Sequence, residues 1–198
     1  MFDRSGVCYS EEIDIHGRAV DFVRIILGVS SPDCAAVGFD TSIYWSNDCR
    51  WLNIRDDDSQ VKVYKIVDNQ GKPCFNRDHH KILGRGTHCW RVLDENGNDL
   101  LVKDQWSTNN LELEKEILEC TKGLAGVSQM IAFRSGLSTA HLRGIKDGNN
   151  LPSKKYLFQN RSMIRTAYRY AGKPLIMFDT REEVLFALRD AIAGSCVI

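Results

Sequence analysis

The chain has 198 residues, enough for one large domain or two small ones. Hydrophobic residues make up 43% and charged residues 26%, an ordinary globular balance, and the formal net charge is +0. Bulk charge thus implies neither a nucleic-acid nor an anionic-membrane partner, and no apolar run approaches the length of a membrane span. Cys8, Cys34, Cys49, Cys74, Cys89, Cys120 and Cys196 are odd in number and lack CxxC spacing. That pattern points to reduced thiols and an intracellular protein, in cytoplasm or nucleus. The charged N-terminus has no apolar signal region.

Residues 1–18 read as an arm with a short strand at 13–15. Residues 20–29, VDFVRIILGV, are apolar and β-branched and predict a buried strand. Ser31-Pro32-Asp33 reads as a helix start, with Ser31 as N-cap, Pro32 at the first helical position and Gly38 ending a short helix. Residues 43–45 and 51–55 are strand-like around a Ser46-Asn47-Asp48 turn, and 61–67 is another strand closed by Asn69-Gln70-Gly71. Asp56-Asp57-Asp58 reads as a solvated loop. Residues 1–75 are therefore expected to form a β-rich module, and 76–198 a second unit.

In that second unit a strand runs into Gly84 and Gly86, and a second leaves through Trp90 and Val92. Glu95-Asn96-Gly97-Asn98 is a tight turn, since Asn-Gly tolerates positive φ. A third strand, 99–104, carries Lys103 among Leu100, Leu101 and Val102. Residues 80–104 thus predict three consecutive antiparallel strands, packed beside an acidic helix over about 111–122. Residues 127–133 and 162–170 are predicted to extend the same sheet. Residues 135–160, rich in Gly, Ser, Asn and Lys, read as a long exposed connection. Thr180-Arg181-Glu182-Glu183 is a capping box. The helix behind it shows Val184, Leu185, Leu188, Ala191 and Ile192 on one face.

Glycines let backbone N–H groups cradle phosphate oxygens, and a lysine in an apolar strand needs an anionic partner. Glycine hairpin, strand lysine and acidic helix, in that order, resemble the small lobe of a protein kinase. The chain is similar to the fungal-type protein kinase family through most of its length. The phrases that carry the resemblance are Phe22-Val23-Arg24-Ile25-Ile26-Leu27-Gly28, Gly38-Phe39-Asp40-Thr41-Ser42-Ile43, Gly84-Arg85-Gly86-Thr87, Lys103-Asp104-Gln105-Trp106 and Ala187-Leu188-Arg189-Asp190-Ala191-Ile192. The resemblance implies an α+β fold: an antiparallel sheet with one main helix, a preceding β-rich module and one further C-terminal helix. It implies ATP, Mg2+ and serine/threonine-type transfer to a protein substrate. It places Gly84 and Gly86 over the phosphates, Lys103 on them, Glu114 or its competitor Glu116 on Lys103, and the backbone near 168–171 at the adenine edge. Where the family loop has a third glycine, this chain has Cys89.

H-R-D-x-x-x-x-N and D-F-G, which supply the catalytic aspartate and the magnesium ligands, do not occur in the 198 residues. Arg189-Asp190 lies within a helical pattern, and Ile145-Lys146-Asp147-Gly148-Asn149 precedes the last strand. The expectation is a kinase domain cut before its catalytic loop, with no catalytic and no metal-binding residue assigned. The competing expectation is a non-catalytic protein-binding module or a degenerate kinase fragment. Cys74, His79, His80, His88 and Cys89 match no common zinc spacing, and Cys89 reads as a buried strand thiol rather than a nucleophile. Lys154-Lys155 beside Tyr156 and Phe158 reads as a solvated loop rather than an RNA contact.

Overall fold

The computed structural model describes residues 2–7, 11–55, 60–67, 85–108, 111–145, 158–169 and 177–195. Two short strands, β1 (Phe2–Asp3) and β2 (Gly6–Val7), pair with each other as a small hairpin. No strand forms at 13–15: Asp14 instead closes a turn, accepting from His16 N through its side chain and from Arg18 N through its carbonyl.

Residues 20–29 are helical, which corrects the strand expectation: α1 covers Ala19–Val29. Its polar residues Asp21 and Arg24 stand three apart, at helical spacing, and Arg18 pairs with Asp21 at 2.8 Å across the first turn. β-Branched residues lower helix propensity by well under ~1 kcal/mol each, so this local pairing and period prevail. None of its side chains is buried, and Val20, Leu27 and Val29 are exposed. The short helix expected after Ser31 is a series of turns. Ser31 Oγ accepts from Asp33 N and the Asp33 carboxylate accepts from Ala35 N, local bonds that compete with a helix.

The remaining strands form one antiparallel sheet. They are β3 (Ile43–Ser46), β4 (Cys49–Arg55), β5 (Val61–Ile66), β6 (His88–Leu93) and β7 (Asp99–Ser107). Helix α2 (Leu111–Cys120) follows, then β8 (Gln129–Ser138), the short α3 (Thr139–Leu142), β9 (Ser162–Arg169) and the C-terminal α4 (Arg181–Ser195). The sheet order is β3-β4-β5-β6-β7-β9-β8. Asn47 and Asp48 take φ of 50° and 56° in the β3–β4 turn, and Gly97 takes 78° between β6 and β7. There the Asp94 carboxylate accepts from Asn98 Nδ2 and from the N–H groups of Asn96 and Asn98, which hold it below the usual carboxylate range.

β8 begins at Gln129 and runs on to Ser138, so residues 135–142 are strand and helix rather than exposed connection. Ser135 and Ser138 pair with Ile164 and Ser162 across an irregular register, so the partner strand, not an apolar pattern, keeps this polar stretch extended. The strand expected to run into Gly84 lies outside the described residues. Among those described, the strand beside β6 on that edge is β5, joined through Lys65 to Leu93 and Ile66 to Val92.

The sheet rolls until β4 meets β8, and Lys62 Nζ reaches Ile131 O at 3.4 Å. Its inner face holds the core: Leu52, Ile54, Tyr64, Ile66, Val92, Leu100, Val102, Ala132 and Ala167. Strands from both sides of residue 75 contribute to this one cluster. Helix α2 lies on the outer face, against β8. Helix α4 begins with the capping box: Thr180 Oγ1 accepts from Glu183 N, and the Glu183 carboxylate accepts from Asp179 N. The helix rests on the turn before β8, where a Cβ at Gly126 would come within 2.7 Å of Asp190 O. Its residues Leu185, Leu188 and Ile192 stay exposed.

Candidate functional site

Alternation along β7 divides its side chains between two chemistries. Leu100 and Val102 enter the core, whereas Lys103 and Gln105 point to the face that carries α2. Lys103 lies opposite Cys89 on β6 and Thr166 on β9, and Leu101 lies opposite Tyr168. Directly opposed residues of antiparallel strands share a face. One carboxylate, Glu114 of α2, faces this row.

Lys103 Nζ lies 3.5 Å from Glu114 Oε1, with the two side chains 28% and 32% exposed. Glu116, the competing glutamate, is exposed on the same helix. Gln105 Nε2 donates to both Glu114 oxygens, at 3.0 and 2.8 Å. Tyr168 is buried on the same face. Burial, and then the Glu114 charge, push its hydroxyl above the usual phenol range, so it stays protonated. Lys115 sits 5.7 Å from the Phe133 ring centroid and helps seat α2 on β8.

Gly86 stands farther along the same hairpin, and Gly84 lies outside the described residues. Arg85 O accepts from Trp106 N at 2.7 Å. The glycine turn is thus level with Trp106, ~10 Å from Lys103 at the rise of a strand. Gly86 has φ +48°, and a Cβ there would sit 2.2 Å from Arg4 Cζ. The β1–β2 hairpin delivers Arg4, and Asp3 anchors that hairpin by accepting from Arg143 Nε and Nη2 at 2.7 and 2.8 Å.

The opposite face carries a second polar cluster. Arg165 of β9, 1% exposed, donates to Asp104 at 2.6 and 2.7 Å and to Asp40 at 2.7 Å; Ser42 Oγ also accepts from it. Trp90 Nε1 donates to Asp104 at 3.1 Å. Two of the motif phrases therefore meet at one guanidinium: Asp40 and Ser42 from residues 38–43, and Asp104 from 103–106. Burial opposes the Arg165 charge, but Asp104 and Asp40 outweigh it and hold the group firmly protonated.

The sequence points to Lys103, Glu114, Gly86 and the backbone near 168–171, but it assigns no role to the side chains of Gln105, Tyr168, Arg4 or Arg165. Gln105 had a signal: it stands two residues after Lys103 on one strand and so shares its face. A cavity of about 810 Å3 lies elsewhere, lined by Trp51, Lys65, Leu93, Asp94, Gly97 and Ile131 among others, and does not include Lys103 or Glu114. Among the described residues no group of three or more His, Cys, Asp or Glu side chains is placed to hold a metal. No helix among them is long and apolar enough to cross a membrane.

The consecutive pairing β6-β7-β9-β8, a helix between β7 and β8, and a β7 lysine meeting a glutamate of that helix make up the small lobe of a protein-kinase-like fold. The chain belongs to the fungal protein kinase family, whose model matches residues 1–196. Comparison with curated proteins gave no match.

Proposed function

We propose that the chain carries the ATP-clamping half of a serine/threonine-type protein kinase site. Lys103 takes a nucleotide phosphate, Gly84 and Gly86 let the backbone lie over the phosphates, and Glu114 orients Lys103. The observation that carries this reading is the Lys103–Glu114 pair at 3.5 Å on a half-open face. The ammonium is partly exposed, and its carboxylate partner already accepts two shorter bonds from Gln105, so the donor chemistry fits an incoming phosphate. ATP, when bound, supplies the phosphoryl group for a hydroxyl of a protein acceptor. Among the described residues no group of three or more His, Cys, Asp or Glu side chains gathers to hold a metal, and none is given to magnesium.

Phosphoryl transfer by these residues alone is not part of the proposal. Positioning and electrostatics supply nearly all of that catalysis, and the H-R-D-x-x-x-x-N phrase that carries the proton-accepting aspartate does not occur in these 198 residues. Asp190 does not replace it, because it lies within α4 and pairs with Arg189 at 2.7 Å. Radiolabel transfer from ATP to a generic protein acceptor is expected to stay at the level of the Lys103→Ala control. Turnover that disappears in that control would reveal a catalytic carboxylate not assigned above.

A second reading, partner binding without transfer, draws support from α1 and α4. Val20, Val23, Leu27 and Val29 on one helix and Leu185, Phe186 and Ile192 on the other are exposed apolar side chains.

A further inference from the structure

The partners of Glu114 are unequal. Lys103 is 3.5 Å away and about a quarter exposed, a geometry in which water screens an ion pair and leaves it weak. Gln105 is 4% exposed and donates to both carboxylate oxygens at 2.8–3.0 Å, the short, desolvated geometry in which a hydrogen bond to a charged group is strongest. The neutral amide is therefore the stronger tie between α2 and the sheet.

Position along the helix sharpens this. The C-terminal end of α2 is fixed without Glu114. Gln129 Nε2 donates to the carbonyls of Thr121, Leu124 and Val127, and its Oε1 accepts from Gly123 N. Thr121 is buried, and its hydroxyl donates to Leu118 O. Glu114 stands near the other end, where the helix starts, and Gln105 and Lys103 are the donors that reach its carboxylate there.

We propose that Gln105 is a positioning residue: it latches the N-terminal half of α2 to β7 through Glu114, so that Lys103 can turn to a phosphate while the helix stays in place. A glutamate held by the lysine alone would lose its partner whenever the lysine engaged the ligand. Here it keeps two short bonds to an uncharged, nearly buried donor. The latch deepens the nucleotide reading of Lys103 and rests on it for its purpose, though not for its existence.

The test is residue-resolved amide exchange on the full 198-residue chain, alongside titration with a non-hydrolysable ATP analogue. Gln105→Met keeps the side-chain shape and removes the donor. It is expected to speed exchange in the first half of α2 by about tenfold while the β7–β9 amides stay protected, since 1.4 kcal/mol corresponds to tenfold. Lys103→Met is expected to weaken analogue binding by about tenfold or more and leave α2 exchange unchanged. A residue with only a general structural role would instead loosen sheet and helix together, which would overturn the proposal. So would faster α2 exchange in Lys103→Met to the extent seen in Gln105→Met. Should Gln105→Met fail to fold, Lys103→Met and Glu114→Gln decide. Glu114→Gln retains an acceptor for the Gln105 amide and loses the charge, so slow exchange in both supports the latch and fast exchange in both defeats it. If the wild-type chain binds no analogue, the nucleotide reading fails, while the exchange results still decide the latch.

Discussion

Replacing Arg165 by methionine is expected to lower stability by about 3–5 kcal/mol, the range for breaking a buried ion pair by removing one partner. The guanidinium is 1% exposed and joins Asp104 to Asp40 and Ser42, so two segments distant in sequence lose their common donor. Asp104, 13% exposed, would keep only the Trp90 indole N–H among the bonds described here. Methionine fills part of the volume, so the loss reports the stranded carboxylates more than a cavity. Urea unfolding measures it, and a loss below about 1 kcal/mol would mean the network is dispensable. The cluster also has an acid signature. Burial opposes ionisation of Asp40, but the Arg165 charge and the Ser42 bonds outweigh it and hold the carboxyl below its ordinary 3.8. A depressed carboxyl stabilises the fold fully above that ordinary value and ceases to do so as pH falls through the lower folded value. The wild-type urea midpoint should fall in that acid window, and the fall should be shallower in Arg165→Met.

The second large effect concerns the core. Leu52 of β4 is 0% exposed and shares one cluster with Val102 of β7 and Ala167 of β9. Leu52→Ala is expected to cost about 2–5 kcal/mol. Because the cluster spans both halves of the chain, unfolding should remain one cooperative transition, with amides of β9 losing protection together with those of β4. Two separated transitions, with β7–β9 unaffected, would instead show that residues 1–75 form an independent module.

Much of this arrangement is legible along the chain because local chemistry dictates it. Asn47-Asp48 and Asp94 to Gly97 are turns by their own side chains and φ preferences, and the strands around them follow from alternation. Lys103 and Glu114 are found from the order of hairpin, strand and helix. The misread segments are those where tertiary context or a less visible period decides. Residues 20–29 are β-branched, yet their polar stripe is helical. Residues 135–138 look like a loop and are held as strand by β9. Arg165 escaped because its partners Asp104 and Asp40 lie 61 and 125 residues away, and a buried charge is recognisable only through such partners. Gln105 escaped because an amide in a strand looks ordinary until a carboxylate from a neighbouring helix is placed above it.

Calorimetric titration of the 198-residue chain with a non-hydrolysable ATP analogue, beside Lys103→Met, tests the nucleotide clamp most directly. Lys103 is partly exposed and Glu114 keeps its Gln105 bonds, so the substitution should leave the melting temperature unchanged. Binding by the wild-type chain is expected to be weak and insensitive to magnesium, because the half-open face at Lys103 and Glu114 covers one side of the ligand and buries less of it than a closed pocket does. Loss of a charge-assisted bond should then lower affinity by about tenfold or more in Lys103→Met. Equal affinity in the two proteins, or no binding by the wild type, would contradict the clamp.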